Sequence, residues 1–113
     1  MPFIRTDTNV TISDAACKSL KEQMGRAIAL IPGKSESCLM LEFNGDRAMY
    51  FAGSDAPLVM AEVTIFGGAS DAAYDALTAK LTKIFSETLS VDPGRIYIKY
   101  AETGHWGWNG GNF

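Results

Sequence analysis

The sequence predicts an α/β fold of the α+β type, in which two βαβ repeats form a four-stranded mixed sheet with two helices on one face. The first observation is an internal repeat: Ser13–Ala16 recurs 57 positions later as Ser70–Ala73, and Pro-Gly-Lys at 32–34 is echoed 61 positions later by Pro-Gly-Arg at 93–95. The second is that each pair encloses a segment with helical spacing and precedes a strand-like one. We therefore predict one domain, residues 1–113, with pseudo-repeats of about 1–56 and 57–113.

The first half begins with a strand and a helix. The strand-like run Phe3–Thr8 is followed by Ser13 and Asp14, either of which can cap a helix by accepting from an orphan backbone N–H. Pro32–Gly33 ends the helix. The apolar stripe of this helix is Ala16, Leu20, Met24, Ala27, Ile28 and Ile31.

A hairpin is predicted at the end of the first half. Cys38–Phe43 reads as a strand, and Asn44–Gly45 is the strongest short-range signal for a tight turn between antiparallel strands. Arg47–Ala52 is then expected to run back along Cys38–Phe43.

The second half repeats the order strand, helix, strand. Leu58–Phe66 is a longer strand that Gly67–Gly68 interrupts, and Ser70 caps the second helix. Arg95–Tyr100 is the last strand, and the tail Thr103–Phe113 carries enough aromatic residues that we expect it to pack rather than to be disordered. The stripe of the second helix is Ala73, Leu77, Leu81, Ile84 and Leu89.

One face of the predicted sheet lacks a cover within the chain. Cys38–Leu41 and Leu58–Met60 are apolar at consecutive positions, which is typical of strands buried on both faces. Two helices can cover only one face of a four-stranded sheet. We therefore expect the other face to meet another subunit, so that the protein is an oligomer.

Composition narrows the classes of partner. The 113 residues carry a net charge of −3 and a pI near 5.0, which does not favour nucleic acid or an anionic membrane surface. No apolar run approaches the ~18 residues of a membrane span, and the N-terminus lacks the apolar region of a signal peptide. We expect no membrane insertion and a cytoplasmic location; a leaderless export route would leave no mark in the sequence.

Cysteine and histidine content argues against a metal or redox centre. Cys17 and Cys38 form no Cys-x-x-Cys motif and no metal-ligand spacing, so we expect both to be buried free thiols. His105 is the single histidine, and we expect it on the surface. Neither a Ser-His-Asp triad nor a multi-histidine metal site is well supplied, and we expect no metal and no organic cofactor.

The start of the chain offers a candidate base. A cytosolic aminopeptidase is expected to remove Met1, because the residue behind it is small. Pro2 would then carry a free secondary amine on a nearly rigid ring, and an α-amino group titrates near pH ~8 before burial or a nearby cation lowers its pKa. Such an amine can act as a general base near neutral pH. Many chains begin Met-Pro without consequence, so the rest of the sequence must decide.

Several short motifs occur in a specific order and spacing. They are Met1–Ile4, Pro32–Lys34, Phe51–Ser54, Ile65 followed by Gly67–Gly68, Asp92–Ile98 and Gly107–Phe113. None is decisive alone, but together they resemble the macrophage migration inhibitory factor family, within the tautomerase superfamily, over essentially the whole chain. The resemblance implies a homotrimer in which three subunits pack their sheets into a central barrel-like core, which agrees with the uncovered face.

The resemblance also implies an activity and two central residues. The family's best-known reaction is keto–enol tautomerisation of phenylpyruvate-like and dopachrome-like substrates. Pro2 matches the catalytic base, and Lys34 matches the lysine that binds the substrate carboxylate and helps to keep the proline nitrogen neutral. Taken alone, Lys34 is more simply a solvated residue favoured by the dipole at a helix C-terminus. With the resemblance, the substrate-binding interpretation of Lys34 is favoured instead.

Further substrate contacts are implied by the same resemblance. Ile65 matches a residue that contacts substrate through its backbone, and Tyr97 matches an aromatic wall that the neighbouring subunit contributes. Lys99 stands where the best-known members have an asparagine, which would make that contact cationic. Trp108 and Phe113, with Trp106 beside them, match the aromatic end of the pocket less closely. On residue type alone, the tyrosine and the tryptophans would be packing residues.

A second function class stays open from the sequence. The alternative is a cytokine-like secreted signalling or host-modulating protein that binds a cell-surface receptor and retains only a residual tautomerase pocket. A thiol–protein oxidoreductase activity is not carried over, because Leu58–Ala61 stands where some members carry a Cys-x-x-Cys motif.

Overall fold

A computed structural model of the protein describes all 113 residues and contains two βαβ units that share one sheet. The first unit comprises β1 (Pro2–Thr8), α1 (Asp14–Ala27) and β2 (Met40–Asn44), and the second comprises β3 (Val59–Phe66), α2 (Asp71–Leu89) and β4 (Ile96–Thr103). A small hairpin of β5 (Gly107–Trp108) and β6 (Gly111–Asn112) ends the chain.

The sheet has the strand order β2-β1-β3-β4. Within each unit the two strands are parallel, as a helical crossover requires, and β1 and β3 join the units as an antiparallel pair. Phe3 lies opposite Met40 in the first unit, and Met60 lies opposite Tyr97 in the second. The predicted four-stranded mixed sheet built from two βαβ repeats is confirmed.

Both helices begin at the serines that the sequence indicates. The side-chain oxygen of Ser13 accepts from the N–H of Ala16 at 3.1 Å, and that of Ser70 accepts from the N–H of Ala73 at 3.1 Å. A 3₁₀ turn at Ile28–Leu30 extends the first helix toward Pro32. Each cap satisfies a backbone donor that has no partner within its helix.

The hydrophobic core lies between the two helices and one face of the sheet. Along β1 and β3 every second residue is buried, so that Ile4 faces Val63 across the antiparallel pair. From the helices, Leu20, Met24, Leu77 and Phe85 have no exposed surface. This arrangement leaves the opposite face of the sheet outside the core.

Thr6 is a polar residue in that core, and its hydroxyl group has no hydrogen-bond partner. We expect Thr6→Val to raise the free energy of unfolding by about 1–2 kcal/mol, because a buried unpaired hydroxyl group costs roughly that much. Urea unfolding at fixed protein concentration measures the change.

Thr8 on the same strand supplies the matched control for that prediction. It is equally buried, but its hydroxyl group donates to the carbonyl of Leu58 at 2.6 Å. Thr8→Val should therefore lower the free energy of unfolding. Equal effects of the two substitutions would contradict the assignment of the hydroxyl group of Thr6 as unpaired.

The predicted hairpin after β2 is wrong. Asp46 and Arg47 donate their backbone N–H groups to the carbonyls of Val10 and Thr8, both at 3.0 Å, so the chain crosses to the end of β1 instead of returning along β2. The side chain of Asn44 donates to Asp7 on β1 at 2.9 Å, which binds it to the sheet. The expected return strand Arg47–Ala52 contributes only an isolated bridge, between Phe51 and Ser54.

The face of the sheet that points away from the helices has a charged centre. Glu42, Arg5, Glu62 and Lys99 lie side by side on the four strands. Arg5 contacts Glu62 at 3.2 Å, and Lys99 contacts Glu62 at 3.9 Å. These charged residues lie outside the apolar stretches Cys38–Leu41 and Leu58–Met60, while Met40 and Tyr97, on the same face, are both exposed near the ends of the sheet. Cover by another subunit stays a prediction.

No helix of the protein combines the length and the apolar character needed to cross a membrane.

Candidate active site

The N-terminal residues are held at the end of β3. The carbonyl of Met1 accepts from the N–H of Phe66 at 3.0 Å, and Pro2 lies opposite Ile65 in the sheet. The ammonium group of Lys34 donates to the carbonyl of Phe66 at 3.2 Å. Two hydrogen bonds to Phe66 therefore bring Lys34 close to the chain start, although Lys34 lies 32 positions after Pro2 in sequence.

The electrostatics of this junction favour a neutral terminal amine. Burial lowers the pKa of the Met1 α-amino group, and the hydrogen bond and positive charge of Lys34 lower it further. Cys38 acts weakly in the opposite direction. An amine placed here is therefore less protonated at neutral pH than a free chain terminus.

A cleft of about 400 Å³ opens beside Pro2. It is mostly apolar, and none of the side chains that line it is acidic or basic. The lining residues are Met1, Pro2, Ser37, Cys38, Leu39, Met40, Trp106, Gly107 and Trp108. Such a cleft can hold a small aromatic group while the charged groups act from its edge.

The tail forms one wall of this cleft. Asn109 and Gly110 have positive φ angles of 52° and 84°, which make the tight turn between β5 and β6. Trp108 stacks on Phe113 with ring centroids 6.4 Å apart, and Phe113 lies 5.5 Å from Phe66. The tail packs as expected, against the end of β3.

Of the predicted site residues, five lie at or near the chain start. Pro2 and Trp108 line the cleft, and Phe113 stacks on the latter. Lys34 lies at the junction just described. Ile65 lies opposite Pro2 in the sheet but has no exposed surface, so its backbone contact with substrate stays a prediction.

Tyr97 and Lys99 lie elsewhere on the same chain. Tyr97 lies opposite Met60, and Met60 lies opposite Asp7. Asp7 is five residues along β1 from Pro2, so Tyr97 is displaced from Pro2 by about 17 Å along the strands, at ~3.3 Å per residue. Lys99 faces Glu62 on the charged face. One chain therefore does not bring these two residues to its own cleft, and their contribution from a neighbouring subunit stays a prediction.

The sequence interpretation missed the side chains just before and at the start of β2. Cys38 was expected to be buried, but it lies in a 3₁₀ turn, Glu36–Cys38, and is exposed at the cleft; Cys17 is only partly buried. The parallel pairing of β1 with β2 places Met40 beside Phe3 and so brings the preceding turn next to Pro2. The predicted βαβ unit could have indicated this position, because its two strands are parallel and start at the same edge of the sheet. His105 is exposed, as expected.

No group of three or more His, Cys, Asp or Glu side chains is placed to hold a metal ion.

Comparison with known proteins agrees with the fold. The sequence profile of the family described as macrophage migration inhibitory factor matches residues 1–113. The chain is 30% identical to a macrophage migration inhibitory factor homolog of Trichuris trichiura, covering all of both sequences, and 29% identical to a homolog of Brugia malayi, covering all of this chain and 99% of the relative.

Solved structures give the same result. The crystal structure of Leishmania major MIF2 superposes with a TM-score of 0.94 at 29% identity, covering 100% of this chain and 97% of that one. A homologue from Prochlorococcus marinus has a TM-score of 0.89 at 25% identity and 98% coverage of each chain. The profile match and the 30% identity span the full length, and the protein belongs to the macrophage migration inhibitory factor family, which has the tautomerase fold.

Proposed function

We propose that the protein is a keto–enol tautomerase of phenylpyruvate-like and dopachrome-like substrates, with the nitrogen of Pro2 as its general base after removal of Met1. The observation that carries this proposal is the junction of Pro2, Lys34 and the cleft. The Met1 amine, which precedes Pro2, has its pKa lowered by burial and by the lysine, and we expect the same influences on the Pro2 amine once Met1 is removed; a base is most effective when its pKa lies near the working pH.

The reaction needs one group to carry a proton between two atoms of the substrate. In the enol-to-keto direction, the neutral Pro2 nitrogen takes the hydroxyl proton and leaves an enolate, whose carbonyl forms as the adjacent carbon is protonated. The electron pair of the carbon–carbon double bond then takes the proton from the Pro2 ammonium at the adjacent carbon. The base is regenerated, and no electrons are gained or lost overall.

The other proposed residues bind and orient the substrate. Lys34 attracts the carboxylate, and its ammonium group lies beside the chain start, where it donates to the carbonyl of Phe66 at the end of β3. Trp108 and Phe113 supply an aromatic wall on the same chain. Tyr97 and Lys99 would complete the pocket from a neighbouring subunit, because Tyr97 is 60% exposed and far from its own cleft. We therefore propose the homotrimer that is typical of the family as the active form.

The direct test is the conversion of the phenylpyruvate enol to the keto form, followed by ultraviolet absorbance. The protein is first shown by mass spectrometry to lack Met1, and its subunit number is measured by light scattering. We expect enzymatic conversion above the buffer rate. Absence of conversion would contradict the tautomerase proposal and would favour the cytokine-like alternative. That alternative is tested by measuring binding of the protein to a receptor on the cell surface.

Lys34→Gln should weaken catalysis in two ways. Removing the cation should raise the pKa of the Pro2 amine, because Lys34 lowers the pKa of the Met1 amine that precedes it in the chain. The acid limb of kcat/KM should therefore move to higher pH, so that the variant loses more activity at low pH than at high pH. Loss of a charge-assisted bond to the carboxylate should also raise KM, by about tenfold or more.

A lysine remote from the cleft provides the control. Lys83 on α2 is exposed, and Lys83→Gln changes net charge by the same amount. The pH profile and KM of that variant should match those of the wild type. If the two variants behaved alike, the effect would come from net charge, and the proposed role of Lys34 would be rejected.

A further inference from the structure

Arg95 binds four backbone carbonyls in the segment that precedes β3. Its guanidinium group donates to Phe51, Ser54, Ala56 and Pro57 over distances of 2.9 to 3.1 Å. A guanidinium group has five N–H donors in one rigid plane, which is why a single side chain can bridge so many acceptors. The arginine, directly before β4, therefore binds a segment that lies about 40 positions earlier in the sequence.

That segment has little other regular structure. Its backbone closes on itself through two hydrogen bonds between Phe51 and Ser54, at 2.9 and 3.0 Å. Ala52 and Gly53 between them have positive φ angles of 53° and 76°. A tight turn of this kind is conformationally costly for alanine, so contacts from outside the turn must help to hold it.

Phe51 lies between this arginine and Tyr97. The guanidinium carbon of Arg95 is 5.2 Å from the centre of the Phe51 ring, within cation–π range. The same ring meets Tyr97 edge-to-face, with centroids 4.7 Å apart and an interplanar angle of 70°. Since Tyr97 is mostly exposed, this contact is the main aromatic restraint on the direction of its ring.

We infer that Arg95 is a positioning residue, which fixes the ring of Tyr97 through Phe51 and thereby shapes the active site that Tyr97 completes in a neighbouring subunit. This role rests on the proposed tautomerase function. Because the contact affects substrate binding and not the base, its loss should raise KM while kcat and the acid limb of the pH profile stay unchanged. An edge-to-face aromatic contact corresponds to about threefold to tenfold in KM.

The experiment compares Met1-free wild type with Arg95→Lys, Phe51→Leu, Tyr97→Ala and the two double variants that include Tyr97→Ala. Lysine keeps the charge but cannot bridge four carbonyls. Leucine keeps the carbonyl that accepts from Arg95 and removes only the ring, so it tests the contact even if Arg95→Lys folds poorly. Arg47→Lys is the matched control, because Arg47 is an exposed arginine that donates to Asn44 within the same loop region.

We expect a similar rise in KM for Arg95→Lys and Phe51→Leu, and no rise for Arg47→Lys. In the double variants, neither Arg95→Lys nor Phe51→Leu should raise KM above the value of Tyr97→Ala alone. Unchanged KM in Arg95→Lys and Phe51→Leu would overturn the inference while leaving the proposed function intact. Equal rises with and without Tyr97 would also overturn it, because the effect would then be general loosening. An inactive wild type would remove the proposed function and this role with it.

Discussion

Pro2→Gly is expected to lower kcat/KM for phenylpyruvate by about hundredfold, the lower end of what general acid–base catalysis contributes. The variant still has a terminal amine after Met1 removal, so a base is present. It lacks the ring that fixes the nitrogen, and glycine is the most flexible residue at this position. The amine would therefore spend little time aimed into the cleft. Initial rates across a range of pH values measure the loss.

The variant must keep the fold for this result to bear on the base. Pro2 has no backbone N–H to contribute to the sheet, so its replacement removes no strand hydrogen bond. Circular dichroism and subunit mass should match those of the wild type. Full activity in a correctly folded, Met1-free Pro2→Gly protein would show that another group moves the proton.

Retention of Met1 is expected to have the second large effect, a loss of about 10²–10⁴-fold. In the unprocessed chain the nitrogen of Pro2 belongs to a peptide bond, whose resonance withdraws the lone pair that a base needs. Expression with methionine aminopeptidase inhibited yields the same sequence with Met1 in place. Residues 2–113 are identical in the two forms, which differ by the free Pro2 amine and by Met1, itself a residue that lines the cleft.

Partly processed samples give a quantitative check. Activity should increase in proportion to the Met1-free fraction measured by intact mass spectrometry. Treatment of the retained form with the aminopeptidase should restore activity. A retained form as active as the processed one would point to the Met1 amine, whose pKa is also lowered in this structure, and would contradict the role of Pro2.

Much of the candidate site was predictable because its signals are local or come from the family resemblance. Pro2, Lys34 and Trp108 were assigned from short motifs, and the structure places all three around the chain start. Cys38 and Met40 were not assigned, because their position at the cleft follows from which strands are neighbours. That information is not contained in residue type or in spacing along the chain.

The failed hairpin shows the same limit. Asn-Gly has a strong intrinsic preference for a tight turn, but that preference is worth little against several tertiary bonds. Here Asn44 is bound by Asp7, and the next two residues donate to the end of β1. The sheet environment therefore overrides the local signal.

The sequence by itself determined the two βαβ units and the starts of both helices, since apolar periodicity and the serine caps at Ser13 and Ser70 act within a few residues. Only the tertiary structure decided the strand order, the lining of the cleft, the ion pair of Arg5 with Glu62 and the hydrogen bond from Arg95 to Phe51. The physical reason is separation: these contacts join groups tens of residues apart, and their geometry exists only after the chain has folded.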